Sequence, residues 1–123
     1  MADPKAVGKA FVDHYYNTFD TARSSLASLY SEQAMLTFEG SETQGQQAIL
    51  QKLTSLPFQQ CKHHVATLDV QPSPMQGGIM VFVTGQLLTE GESQPLKFSQ
   101  IFHLVASGNS FALSNDLFRL NYG

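Results

Sequence analysis

The sequence predicts an α+β domain in which helices come first and a strongly bent antiparallel sheet follows, with the helices on one face. Three observations carry this. Apolar residues recur at helical spacing through the first half, short β-branched and aromatic runs fill the second, and turns containing glycine or proline separate those runs. With 123 residues and no internal repeat, low-complexity tract or linker, the chain reads as one domain, residues 1–123.

Val7, Phe11 and Tyr15 recur every four residues with Ala10 and His14 beside them, one apolar stripe of a helix over residues 5–19. Asp20 or Thr21 can cap a second, shorter helix that carries Arg23 near its start and then Leu26, Leu29 and Tyr30. Residues 35–39 are half apolar and end at Gly40, which predicts a strand. From about Gln46, the residues Ala48, Ile49, Leu53 and Leu56 return to helical spacing until Pro57 stops them. Residues 65–70 alternate weakly, Pro72-Ser73-Pro74 and Gly77-Gly78 mark a turn, and residues 79–83 are too short an apolar run for a helix. A polar turn over 89–95 precedes two further strands, 97–105 and 111–120. Both faces of the 79–83 run are apolar. One can meet the helices; the other needs a cover, either the chain's own loops or a partner subunit.

Composition narrows the function classes. A content of 42% hydrophobic and 11% aromatic residues, with 14% charged, belongs to a packed protein. The formal charge is −3, and the seven Lys and Arg residues are scattered singly, so no basic stripe exists to neutralise phosphates and nucleic acid is not an expected partner. The single cysteine, Cys61, cannot form an internal disulfide or a Cys-rich metal site, which suits a reducing compartment. No run approaches the ~20 apolar residues of a membrane span, and the first residues lack the apolar core of a signal peptide. His63 and His64 point to opposite faces of a strand and cannot chelate one ion, and no phosphate-cradling glycine loop is present. No cofactor or metal is expected. Glu39, next to Gly40, and Glu90 and Glu92, in a turn with Gly91, stand where side chains face solvent: either ordinary surface or groups offered to a partner.

The segments His14-Tyr15-Tyr16-x-x-Phe19-Asp20, Leu36-Thr37-Phe38-Glu39-Gly40 and Leu53-x-Ser55-Leu56-Pro57-Phe58-Gln59 resemble the nuclear transport factor 2 family in order and spacing. Gln71-Pro72-x-Pro74, Val83-x-Gly85-Gln86-Leu87 and Asn115-Asp116-x-Phe118-Arg119-Leu120 continue the resemblance over nearly the whole chain. It implies a conical fold around a hydrophobic cavity, a homodimer formed through the sheets, and a non-enzymatic carrier of the small GTPase Ran in its GDP state. It also implies contact with Phe-Gly repeats of pore proteins, and a distribution over cytoplasm, nucleus and nuclear envelope. Residue by residue, the resemblance makes Phe38 the cavity-wall aromatic, where many members carry Trp. Glu39 becomes the rim acid for a GTPase arginine, and Glu90 and Glu92 the acids for a lysine. Leu56 and Phe118 complete the expected lining. Pro4 stands where some members have an aromatic that holds Phe-Gly repeats. The same fold, by resemblance, includes isomerases and dehydratases with a cavity Asp or Asp/His pair, so Asp69, Asp116, His63 and His103 are the candidates for a small-molecule enzyme. His63 and Asp69, six apart on one candidate strand, are expected on one face but ~20 Å apart and so form no dyad, and Asp116 is expected to hydrogen-bond nearby backbone.

Overall fold

Helix α1 spans Pro4–Thr21 in the computed structural model, which describes residues 3–56, 60–75, 77–108 and 110–121. The Asp3 side chain caps it by accepting the Lys5 N–H at 3.2 Å, and Pro4 occupies the first turn, where no N–H is needed. The buried stripe is Gly8, Val12, Tyr15, Tyr16 and Phe19. It is rotated by about one residue from the expected one: Val7 and Phe11 are half-buried, and Ala10 and His14 are exposed.

The second helix is a 3₁₀ helix, Arg23–Leu29, and neither expected residue caps it. Asp20 turns instead towards His63 and Cys61, and the Thr21 hydroxyl donates back to the Asn17 carbonyl. Strand β1 (Tyr30–Phe38) turns through Glu39-Gly40 into β2 (Ser41–Gln44), a hairpin not foreseen in the sequence. Both turn residues have positive φ, 52° and 84°, the type I′ geometry that matches strand twist. Helix α2 (Gln46–Thr54) follows, its Gln46 amide donating to the Ala27 and Tyr30 carbonyls. It ends before Pro57, which lies with Phe58 and Gln59 outside the described residues.

Strands β3 (Cys61–Pro72), β4 (Ile79–Thr89), β5 (Leu96–Ser107) and β6 (Ser110–Leu120) all outrun their apolar cores, because the ladders continue through polar, outward-facing positions. The order across the sheet is β2-β1-β6-β5-β4-β3. The sheet is mixed rather than wholly antiparallel: β1 runs parallel to β6, Phe38 beside Phe118. The whole remaining sheet is traversed between these two strands, so no hairpin forces them antiparallel. Register shifts at Val65/Thr67 and His103/Leu104 accompany the curl of the sheet, which stays unclosed. Its concave side, with Val81, Val83, Leu87, Phe98, Phe102, Leu104 and Leu113, packs on the helices.

Gly8 sets how closely α1 approaches the sheet. A Cβ there would stand 2.8 Å from Val70 Cγ2 and 3.3 Å from Val81 Cγ2. Overpacking costs about 1–3 kcal/mol, against about 1 kcal/mol of helix propensity gained by alanine. Gly8→Ala is therefore expected to lower stability by about 1 kcal/mol in urea denaturation; an unchanged or raised midpoint would show that the helix has slack over β3 and β4.

Candidate functional site

Inward-facing strand residues and α1 enclose a pocket inside the cone. Its lining is Tyr15 and Phe19 of α1, Leu36 and Phe38 of β1, Leu53 of α2, His63 of β3, Leu87 of β4, Gln100 of β5, and Asp116 and Phe118 of β6. The space a water-sized centre can occupy is only about 10 Å³, roughly one water. Phe38 and Phe118 stack across its wall at 4.7 Å between ring centres and 5° between planes, and Phe98 continues the stack at 5.5 Å from Phe118. Phe38 is the half-buried member of the pair, and the Lys52 ammonium lies 6.0 Å from its ring centre.

The inner end of the pocket is polar. Asp116, 1% exposed, accepts from Tyr30 at 2.7 Å and Tyr15 at 3.3 Å on Oδ2, and from the Gln100 amide at 2.7 Å on Oδ1. Tyr16 in turn donates to Gln100 Oε1 at 2.7 Å. These partners are side chains of α1, β1 and β5, not the nearby backbone expected for Asp116. Burial pushes the Asp116 carboxyl up to about 6 against the opposing hydrogen bonds from Gln100, Tyr30 and Tyr15. Burial, and then the Asp116 charge, push the Tyr15 and Tyr30 phenols well above their ordinary range.

The strand registers bring the predicted rim acids to one end of the sheet. Phe38 lies beside Phe118, Leu120 pairs with Phe98, Leu96 with Leu87, and Thr89 with Cys61, so the Glu39 turn and the turn bearing Glu90 and Glu92 flank the same edge. Glu39 is not simply a solvated acid. It is half-buried, and its Oε2 accepts the Leu120 N–H at 2.6 Å. Glu90 is exposed and accepts the Gln60 N–H at 3.2 Å; Glu92 is exposed. Leu56 packs against the core without lining the pocket, because it lies past the end of α2, whereas Leu53 on the last turn points in.

Sequence reasoning missed several pocket residues: Tyr15, Phe19, Leu36, Leu53, Leu87 and Gln100. One had a signal, since Gln100 interrupts an alternating apolar file, Phe98, Phe102 and Leu104. His63 and Asp69, expected on one face of the strand, lie on opposite faces, because the register shift at Val65/Thr67 turns Asp69 to the exposed convex side opposite Phe82. His63 pairs instead with Asp20, 43 residues earlier, Nδ1 to Oδ1 at 2.7 Å. His103 lies between Ser73 and Ser114, at 3.0 Å from each hydroxyl, and does not line the pocket.

The model of the nuclear transport factor 2 (NTF2) domain matches residues 7–120. The chain belongs to the nuclear transport factor 2 family. It is 61% identical over 121 residues to nuclear transport factor 2B of Arabidopsis thaliana, covering 98% of this chain and 96% of that one. The structure of nuclear transport factor 2 from Cryptosporidium parvum superposes with a TM-score of 0.90 at 50% identity, covering 96% of this chain and 94% of that one. A hexachlorocyclohexane dehydrochlorinase shares the fold alone, with a TM-score of 0.79 at 14% identity, 96% of this chain and 85% of that one. The family cone thus occurs in transport factors and in enzymes, and function has to be argued from the site.

The pocket carries a pH signature. Asp116 has a folded value of about 6 against an ordinary 3.8. Below about pH 4 both states hold the proton; between about 4 and 6 the folded state keeps it while the unfolded chain loses it, so stability falls as pH rises. Above 6 the full penalty, on the order of 3 kcal/mol, is in place. Chemical denaturation across this window is expected to show a flatter profile for Asp116→Asn than for the wild type; parallel profiles would assign the slope to other groups.

Proposed function

We propose that this protein is a non-enzymatic nuclear import carrier that binds the GDP form of the small GTPase Ran as a homodimer. The observation that carries this reading is the Phe38–Phe118 aromatic wall set between the Glu39 turn and the Glu90/Glu92 turn at one end of the sheet. A GTPase aromatic enters where Phe38 now closes the pocket, and Phe38, the half-buried ring, swings aside to admit it. Burying one aromatic is worth about 2–3 kcal/mol before ordering costs. Glu39, Glu90 and Glu92 orient the basic residues around it, adding specificity more than affinity. Selectivity for GDP follows because the partner's switch segment presents that arrangement in one nucleotide state. Family membership supports the transport role, and a carrier of this kind would work between cytoplasm, nucleus and nuclear envelope.

A small-molecule enzyme is the second reading, since Asp116 and His63 both line the pocket; at about 10 Å³ the pocket would admit an organic substrate only with the same movement of Phe38 that the GTPase aromatic requires. Phe-Gly repeats are assigned to the start of α1. The groove there is lined by Lys5, Lys9, Asp69 and Gln71 as well as Leu68 and Val70, and with Pro4 in place of an aromatic it is expected to hold such repeats weakly.

The convex face supports the homodimer. Phe82 pairs with Ile101 and Ile101 with Leu117, an apolar row across three strands in which Phe82 is 40% and Leu117 46% exposed, with Met80 beside it. Three neighbouring strands with such a row suit a self-complementary interface of about 800 Å² per partner. Sedimentation at micromolar concentration is expected to give twice the 13.5 kDa chain mass for the wild type and a single-chain mass for Phe82→Glu with Leu117→Glu. A wild-type monomer would remove the claim.

The rim is tested by calorimetry against GDP-loaded Ran. Glu90→Lys and Glu92→Lys are each expected to weaken binding at least tenfold with the far-UV spectrum unchanged, and wild-type affinity to fall as salt rises. Glu39→Lys is expected to lose binding and also about 1 kcal/mol of stability, because it removes the acceptor for the Leu120 N–H. Wild-type affinity for both reversals, or a preference for the GTP form, would overturn the assignment.

A further inference from the structure

Behind the His63 wall of the pocket, the geometry points to a binding site for one divalent transition-metal ion of the zinc class, held by Asp20, Cys61 and His63. Cys61 and His63 are two apart on β3 and share a face of the strand. That face meets the last turn of α1, which carries Asp20. One ligand atom from each residue, a carboxylate oxygen, Sγ and Nδ1, lies within 4.8 Å of the other two. Sγ stands 3.4 Å and Nδ1 2.7 Å from Asp20 Oδ1. A tetrahedral ion with bonds of about 2.0–2.3 Å holds its ligands about 3.3–3.7 Å apart. Side-chain adjustments of up to about one ångström bring the three into that range.

In the metal-free arrangement Asp20 Oδ1 is a hub for the thiol and the imidazole Nδ1. A dication takes the place of the protons between them. The thiol releases its proton to solvent as the sulfur–metal bond forms; the His63 Nδ1 proton that faced Asp20 is also given up to solvent, and the imidazole binds the metal through Nδ1 as the neutral tautomer protonated on Nε2. The Asp20 carboxylate and Cys61 thiolate together balance the ion's two charges. Ligand orientation is already provided. The His63 N–H holds Asp20 Oδ2 at 2.9 Å, Tyr16 stacks on the imidazole at 4.5 Å, and Phe19 and Phe98 meet it edge-on. One sulfur, one nitrogen and one oxygen donor select zinc, or cobalt as its probe, over magnesium or calcium. The partly exposed Asp20 side leaves a water to complete the coordination. Arg23 Nη2, 3.6 Å from the sulfur, opposes the dication and limits affinity. The inference is independent of the Ran reading, although it uses a pocket-wall histidine.

Cobalt(II) titration of the whole protein, kept reduced without added thiol, tests it. A thiolate-to-cobalt charge-transfer band is expected, saturating at one ion per chain and displaced by zinc. Because Cys61 is the only cysteine, that band reports it alone. Cys61→Val should abolish the band, Asp20→Asn and His63→Gln should weaken binding at least tenfold, and His64→Gln, on the opposite face, should leave it unchanged. Absence of the band in the wild type at millimolar cobalt overturns the site without reference to any variant. So does a band of wild-type affinity in folded Asp20→Asn and His63→Gln, which would place Cys61 in a different metal complex.

Discussion

The rest of the structure depends on satisfying one buried carboxylate. Asp116 is enclosed among apolar side chains, where an acid without partners would cost several kcal/mol. Its three donors come from α1, β1 and β5. Meeting them fixes the helix against the curled sheet and brings the parallel β1–β6 pair into register with the hairpin strands. The same side chains line the inner end of the pocket, so the network that orders the cone also shapes its interior. Tyr16 and Gln100 extend this order to the His63 wall, where Asp20 holds the imidazole from the helix side. Burial pushes Asp20 upward, but hydrogen bonds from His63 and Cys61 and the charge of His63 outweigh it, leaving Asp20 below the ordinary carboxylate range. The Cys61 thiol, buried beside that charge, is pushed up to about 12, and its S–H donates to the carboxylate.

The rim is built differently from the interior. Glu39 occupies the first position of a type I′ turn with φ of 52°, a conformation that costs a side-chain-bearing residue about 1–2 kcal/mol. Its carboxylate meets the Leu120 N–H, and its own N–H donates to the Phe118 carbonyl, so the turn is tied to β6 beside the Phe118 ring. Glu90 is tied to Gln60 at the start of β3 in the same way, through backbone and side chain. Acids anchored like this would lose little entropy in the proposed contact with a basic partner.

Much of this was legible in the residues, and the failures have physical causes. The α+β order, the long first helix, and the 79–83 and 111–120 strands follow from local periodicity, which side-chain burial enforces whatever the neighbours. The turns that bear Glu39, Glu90 and Glu92 were legible because a glycine beside an acid marks a turn. Leu56 was misplaced by a helix pattern that continues past the last helical residue, Thr54. The stripe of α1 was misjudged by one position because Gly8 and Tyr16 face the sheet, and neither reads as a strong apolar anchor.

By itself, the sequence determined the fold class, the family and the turns that carry charge, because periodicity, glycine placement and composition act over a few residues. Tertiary structure alone decided which polar side chains meet. Asp116 is 86 residues from Tyr30, and His63 is 43 from Asp20; neither separation leaves a local pattern. It also decided that the pocket is nearly filled and that β1 runs parallel to β6, because packing volume and strand order depend on how the whole sheet curls around the helices.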